Sequence, residues 1–204
     1  MERNMNKQHI RAALEQPCGT PEHVISISNP YPENKLFHVL DSVDVLFIPP
    51  AQDAFAQSLG IEICITAGIS SLNQPHAQER FEFGFYYTQK TTLSLLEYQT
   101  WADSLVKFAL QTCLRDEFNL PFMVEDVTVQ PFAEMTSILV VDWVGLYQAV
   151  YLQGLNAPVR LMRLIPLYEN EARFTAQYLF RHLESALQKM AIDYDDYERK
   201  PANV

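Results

Sequence analysis

In IEICITAGIS, the stretch from Ile61 to Ser70, the residues Ile61, Ile63 and Ile65 alternate with Glu62, Cys64 and Thr66 before Gly68 interrupts the pattern. A period of two with β-branched residues on one face predicts a strand ending in a tight turn. Upstream, DVLFIPP from Asp44 to Pro50 reads as a second buried strand. It is stopped by two prolines, which have no N–H to give to a sheet ladder. Downstream, Arg80 to Tyr87 alternates again, with Phe81, Phe83, Phe85 and Tyr87 on one face and Glu82, Gly84 and Tyr86 on the other. Ile138 to Trp143 and Val159 to Leu167 read as further strands, the second interrupted by Pro166. Shorter ones are predicted at Val24–Ser28 and Val127–Val129.

Between these strands lie helical patterns. Residues 5–16 place Ile10, Ala13 and Leu14 on one side and meet Pro17, Gly19 and Pro21 as stops. Thr100 to Phe118 predicts the central helix, with Thr100 as its cap and Trp101, Leu105, Phe108, Ala109 and Cys113 as its apolar stripe. Asn170 is expected to cap a final helix that buries Phe174, Tyr178, Leu179, Leu183, Ala186, Leu187 and Met190. The tail from Asp193 to Val204 is expected to fray. Strands come in clusters with helices inserted and do not alternate as βαβα. This points to an α+β fold: a mixed β-sheet covered by helices in a single domain. The expected division is an N-terminal helix and connector over 1–22, the domain over 23–192 and an acidic tail over 193–204.

Composition narrows the function. The chain has 204 residues, 48% hydrophobic and 20% charged, with a net charge of −10. The acidic excess is greatest over residues 61–130, where nine Asp and Glu face four Lys and Arg. Phosphate backbones need clustered Lys and Arg, so nucleic acid is not an expected partner. Acidity favours a basic protein partner. The cysteines Cys18, Cys64 and Cys113 are odd in number and widely spaced, with no CxxC pair, as expected of reduced thiols. Met1 to Ala13 has no apolar core of a signal peptide, and no apolar run is long enough to span a bilayer, so the cytoplasm is expected and a membrane is not.

No catalytic constellation is visible. His9, His23, His38, His76 and His182 lack ligand spacing, so no metal is expected. Six glycines form neither GxGxxG nor a Walker loop, so no cofactor is expected. Gly68-Ile69-Ser70-Ser71-Leu72 approaches a nucleophile elbow but lacks its second glycine. The alternative reading is a small hydrolase or transferase with a site around Ser70, Glu79 and Arg80. A third places Phe81–Tyr87 at a sheet edge, where it would pair with a second copy to make a homo-oligomer.

The ordered motifs resemble the Suppressor of Fused domain family, in a bacterial single-domain form. They are the Asp-Val strand ending in Pro-Pro (DVLFIPP), Thr-x-Gly-x-Ser (Thr66, Gly68, Ser70), Arg-x-Glu (Arg80, Glu82), Trp101 with Leu105, and Pro-Leu-Tyr-x-x-Glu (Pro166, Leu167, Tyr168, Glu171). The likeness spans roughly residues 36–190, with Ile69 where methionine is common. It implies a non-enzymatic protein-binding module that sequesters or regulates a partner. In animal members an extended peptide adds to a sheet edge. In bacterial relatives an association with toxin–immunity loci implies neutralisation of a basic toxin. The likeness to the animal members implies that Glu125 and Asp126, in an acidic loop preceding the strand at Val127–Val129, contact the partner, while Thr66, Gly68, Ser70, Arg80, Trp101, Pro166 and Glu171 are expected to serve the structure. In a chain of 204 residues the further C-terminal domain of the animal members is not expected.

Overall fold

The computed structural model describes residues 2–49, 60–72, 80–88, 92–115, 119–143 and 159–204. Their strands are β1 (His23–Ser28), β2 (Ser42–Ile48), β3 (Ile61–Ala67), β4 (Arg80–Thr88), β5 (Phe122–Glu125), β6 (Ser137–Asp142) and β7 (Val159–Leu167). They form one sheet in the order β1-β2-β3-β4-β7-β6-β5. Every neighbouring pair is antiparallel except β4 and β7, which run parallel with Gly84 opposite Arg163. The sheet is mixed and the fold is α+β, as the clustering of strands implied.

Both faces are covered. Helix α2 (Leu95–Thr112) packs Trp101, Leu105, Phe108 and Ala109 into one core with Phe81, Phe83, Phe85 and Tyr87 of β4. On the other face α1 (Glu2–Cys18) lays Ile10, Leu14 and Cys18, spaced four apart, on Leu46, Ile63 and Ile65. Farther along that face, α3 (Glu169–Tyr178) and α4 (Phe180–Lys189) bring Ala172, Leu183 and Leu187 onto Leu139, Ile165 and Leu167. With helices on both sides, β3 is buried throughout its length after Ile61, and even Glu62 is 6% exposed.

Several expectations need correction. The central helix is capped by Ser94, whose hydroxyl accepts from the Glu97 N–H while Glu97 accepts from the Ser94 N–H, a capping box. Thr100 lies inside the helix, donating to the Leu96 carbonyl, and the helix ends at Thr112, short of Phe118. Residues 127–129 are no strand; Val127 donates to the Thr136 carbonyl in the connection from β5 to β6, and Val129 is buried beneath α2. The last helix is broken at Leu179, whose φ of 72° lies in the left-handed region, so Tyr178 and Leu179 turn outward and are 48% and 59% exposed. Met190 is likewise exposed. Asn170 is not the cap, since the helix starts at Glu169 after Tyr168. The first helix runs past Pro17 to Cys18.

β7 also continues through Pro166. The β4 pairing stops at Arg163, and the Pro166 carbonyl on that open side accepts from Arg199. The N and O of one strand residue point the same way, so the missing N–H faces a place with no ladder to complete. The 193–204 segment does not fray: Asp195 and Arg199 are buried. The aromatic strand β4 lies between β3 and β7, which removes it as an edge for pairing with a second copy.

Cys18, Cys64 and Cys113 are buried and unbridged. Burial pushes the Cys18 thiol up to about 12 and holds Cys64 well above the ordinary thiol range. The thiolate is the reacting form, so the native protein is expected to give no rapid reaction with a chromogenic disulfide reagent around pH 8. All three thiols should react once it is denatured. The same shift has a stability sign: the Cys18 contribution is present below its ordinary 9.0 and is lost as pH rises toward 12. Rapid labelling of a folded thiol would contradict this packing.

Candidate functional site

Two places stand out when the motif residues are located. The first is internal. The antiparallel register of β3 with β4 brings the end of β3 beside the start of β4, where Glu82 is fully buried. Five donors converge on its carboxylate: the Thr66 hydroxyl at 2.6 Å, the Ser70 hydroxyl at 2.6 Å, and the N–H groups of Gly68 at 2.9 Å, Ser70 at 2.9 Å and Ile69 at 3.3 Å. Gly68 has φ 135°, a conformation that an L side chain rarely adopts, and this geometry aims the turn's N–H groups inward. Arg80 donates to the Ser70 carbonyl at 3.1 Å and holds the turn from outside, while Thr66 also accepts from the Phe83 N–H. Burial pushes the Glu82 carboxyl upward, and the bonds from Ser70, Thr66 and Gly68 pull it partly back.

This cradle unites Thr66, Gly68, Ser70 and Arg80 in one structural device around Glu82. It leaves Ser70 0% exposed with its hydroxyl committed to a carboxylate, a poor posture for a nucleophile. Glu79 lies outside the described residues. Trp101 is buried, edge-on to Tyr87 at 5.1 Å and to Tyr197 at 5.5 Å. Glu171 is also fully buried; it accepts from the Tyr168 N–H and forms a bidentate pair with Arg199 at 2.6 Å.

The second place is external. β5 ends the sheet, and its last residue, Glu125, is followed by Asp126 at φ 55°. Both acids are exposed. Asp tolerates this left-handed position better than most residues, which lets the chain turn sharply while keeping a charge at the corner. Glu125 and Asp126 therefore stand together, at the end of β5 and not ahead of a strand at 127–129. The cradle lies across the sheet from them, with β7 and β6 between β4 and β5.

Residues that the sequence reading did not single out are Arg163 and Arg199, and Asp195, read only as part of a solvated acidic tail, is buried. Arg163 donates to both Asp195 oxygens at 2.7 and 2.8 Å and lies over the rings of Tyr86 and Tyr194. The signal available was a charged residue in mid-strand in VRLMRLIPL.

A helix-covered mixed sheet with an internal acid cradle and an acidic outer edge defines a scaffold domain of the α+β class. The family described as Suppressor of fused protein (SUFU) matches residues 40–200, and the chain belongs to that family. Solved structures share the fold. A SUFU homolog from Neisseria gonorrhoeae aligns at a TM-score of 0.61 and 17% identity, over 97% of each chain. A chain of the Sufu–Fu complex aligns at 0.60 and 11% identity, over 97% of this chain and 91% of that one. Drosophila Suppressor of Fused aligns at 0.63 and 11% identity; 97% of this chain matches 51% of that one, so the chain spans about half of the Drosophila protein. At these identities the likeness is one of fold. No curated protein matches. Among the described residues no helix is long and apolar enough to cross a membrane.

Proposed function

We propose that this domain is a non-enzymatic, cytoplasmic protein-binding module that sequesters or regulates a partner by adding an extended, basic segment of it to the outer edge of β5. The observation that carries the reading is the placement of exposed Glu125 and Asp126 at the end of that edge strand. An end strand offers main-chain N–H and C=O groups to an incoming strand, and flanking charges select its register and sign. The net charge of −10 favours encounter with a basic partner. One structural relative was solved in a complex of Sufu with Fu. Neutralising a basic toxin is a finer form of the same reading.

The test is the double variant Glu125→Lys with Asp126→Asn, which reverses one charge and removes the other. Asn is among the residues that tolerate the left-handed backbone. Partner affinity should fall about tenfold or more, because like charges oppose across the interface. The urea midpoint should barely move, since exposed substitutions usually stay within about 0.5 kcal/mol. Unchanged affinity would remove these two residues from the site.

A further inference from the structure

Residues 193–204 contain neither helix nor strand, yet they are seated across the C-terminal ends of β4 and β7, the one parallel pair among the described strands. Three anchors are buried: Asp195 at 9%, Arg199 at 6% and Ala202 at 2% exposure. Glu198, Lys200 and Pro201 between them are not buried. Asp195 grips Arg163 with both oxygens, and Arg199 grips Glu171 with both terminal nitrogens while lying over the Tyr168 ring. Single bonds tie the backbone down: Thr88 N–H to the Asp195 carbonyl, Tyr168 hydroxyl to the Arg199 carbonyl, Ala202 N–H to Glu171, and Asn170 to the Ala202 carbonyl.

The segment is folded into turns by its own bonds, Asp196 N–H to the Asp193 carbonyl and Arg199 N–H to the Asp196 carbonyl, so it is held as a short turned peptide with its anchors in sockets. Two of the three anchors, Asp195 and Arg199, are charges, and that is informative. Apolar side chains of similar volume would dock a permanent tail as well or better, whereas paired buried charges select a sequence. The Arg163 socket is also incompletely satisfied, since its Nε is buried with no hydrogen-bond partner, as is the Nε of the Arg199 anchor.

We propose that residues 193–204 are an intramolecular ligand of a peptide groove, and that the groove's other occupant is a partner segment with a carboxylate four residues ahead of a guanidinium, Asp-x-x-x-Arg. Its acid takes the place of Asp195 on Arg163, and its guanidinium takes the place of Arg199 on Glu171. The groove is separate from the β5 edge and does not depend on that reading.

The test uses the full-length chain and a fluorescein-labelled peptide of sequence DYDDYERKPANV. In the double variant Asp195→Ala, Arg199→Ala, the chain's own segment has lost both anchors. The peptide should bind that variant about tenfold more tightly than wild type, because the groove is no longer filled in cis. A peptide with the same two residues changed to alanine should not bind. Equal or absent binding in a double variant that keeps its sheet circular dichroism overturns the proposal. Should the variant not fold, native-state hydrogen exchange on wild type decides. The amides of Ala202 and Thr88 should exchange at least about tenfold faster than those in the middle of β4, by local opening. Exchange at one common rate makes the segment an inseparable part of the fold and overturns the proposal.

Discussion

Glu82→Leu is expected to cost on the order of 3–5 kcal/mol of stability at neutral pH, read as a lower urea midpoint with an unchanged slope. Leucine nearly preserves the volume of the side chain but accepts nothing. The Thr66 and Ser70 hydroxyls can rotate toward other acceptors, whereas the N–H groups of Gly68 and Ser70 are fixed by the backbone and lose their partner inside the protein. Each buried orphan donor costs about 1–3 kcal/mol. The φ of 135° at Gly68 then loses the interaction that rewards it. A Leu variant with the wild-type midpoint would show that the cradle is incidental.

The same carboxyl carries a pH signature. Burial raises Glu82 in the folded state. A raised carboxyl contributes stability that is fully present below its unfolded value of about 4.3 and is lost as pH rises through the folded value. The wild-type midpoint should therefore climb as pH falls from neutrality toward 5, short of general acid unfolding. Glu82→Gln should make this slope shallower without abolishing it, because burial also raises Glu62 and Asp195.

The second large effect is expected at Gly84. A Cβ there would lie 2.5 Å from the Cys64 carbonyl oxygen, 2.7 Å from the Trp143 ring and 3.0 Å from Ile65 Cβ. The closest of these is backbone in the middle of the sheet and cannot swing away. Gly84→Ala should destabilise by on the order of 3 kcal/mol through overpacking. The Trp143 ring must shift, which breaks its 2.8 Å donation to the Tyr86 hydroxyl, itself part of the surroundings of Arg163. The tryptophans are two, Trp101 and Trp143, and both are buried. A red shift of native fluorescence should therefore accompany the loss. Unaltered emission together with wild-type stability would mean that Trp143 does not lie over Gly84.

Short-range chemistry was legible in the chain. The alternations in β3 and β4, the Thr66–Ser70 turn and the stripe from Trp101 to Ala109 follow from local geometry alone. Pattern was less informative where a boundary falls off the apolar stripe. Leu95 and Leu96 are 64% and 71% exposed, so the buried stripe begins only at Tyr98, about one turn after the Ser94 cap that begins the helix. Pro166 reads as a break until the sheet order shows that β7 has no β4 neighbour there. The kink at Leu179 depends on a left-handed residue that its identity does not announce. The pairs Arg163–Asp195 and Glu171–Arg199 join residues far apart in sequence, and nothing local distinguishes a buried tail acid from a solvated one. Glu125 and Asp126 were legible as acids, but their place at the end of an edge strand required the pairing of β5 with β6.

The most direct test of a binding role is parallel capture from the native organism's lysate, with the wild-type domain and with the Glu125→Lys, Asp126→Asn variant, across a salt series. The account predicts one basic protein, retained stoichiometrically by wild type at low salt, released as salt rises, and lost from the variant. The same protein retained equally by both, or no protein retained by wild type at any salt, would contradict it.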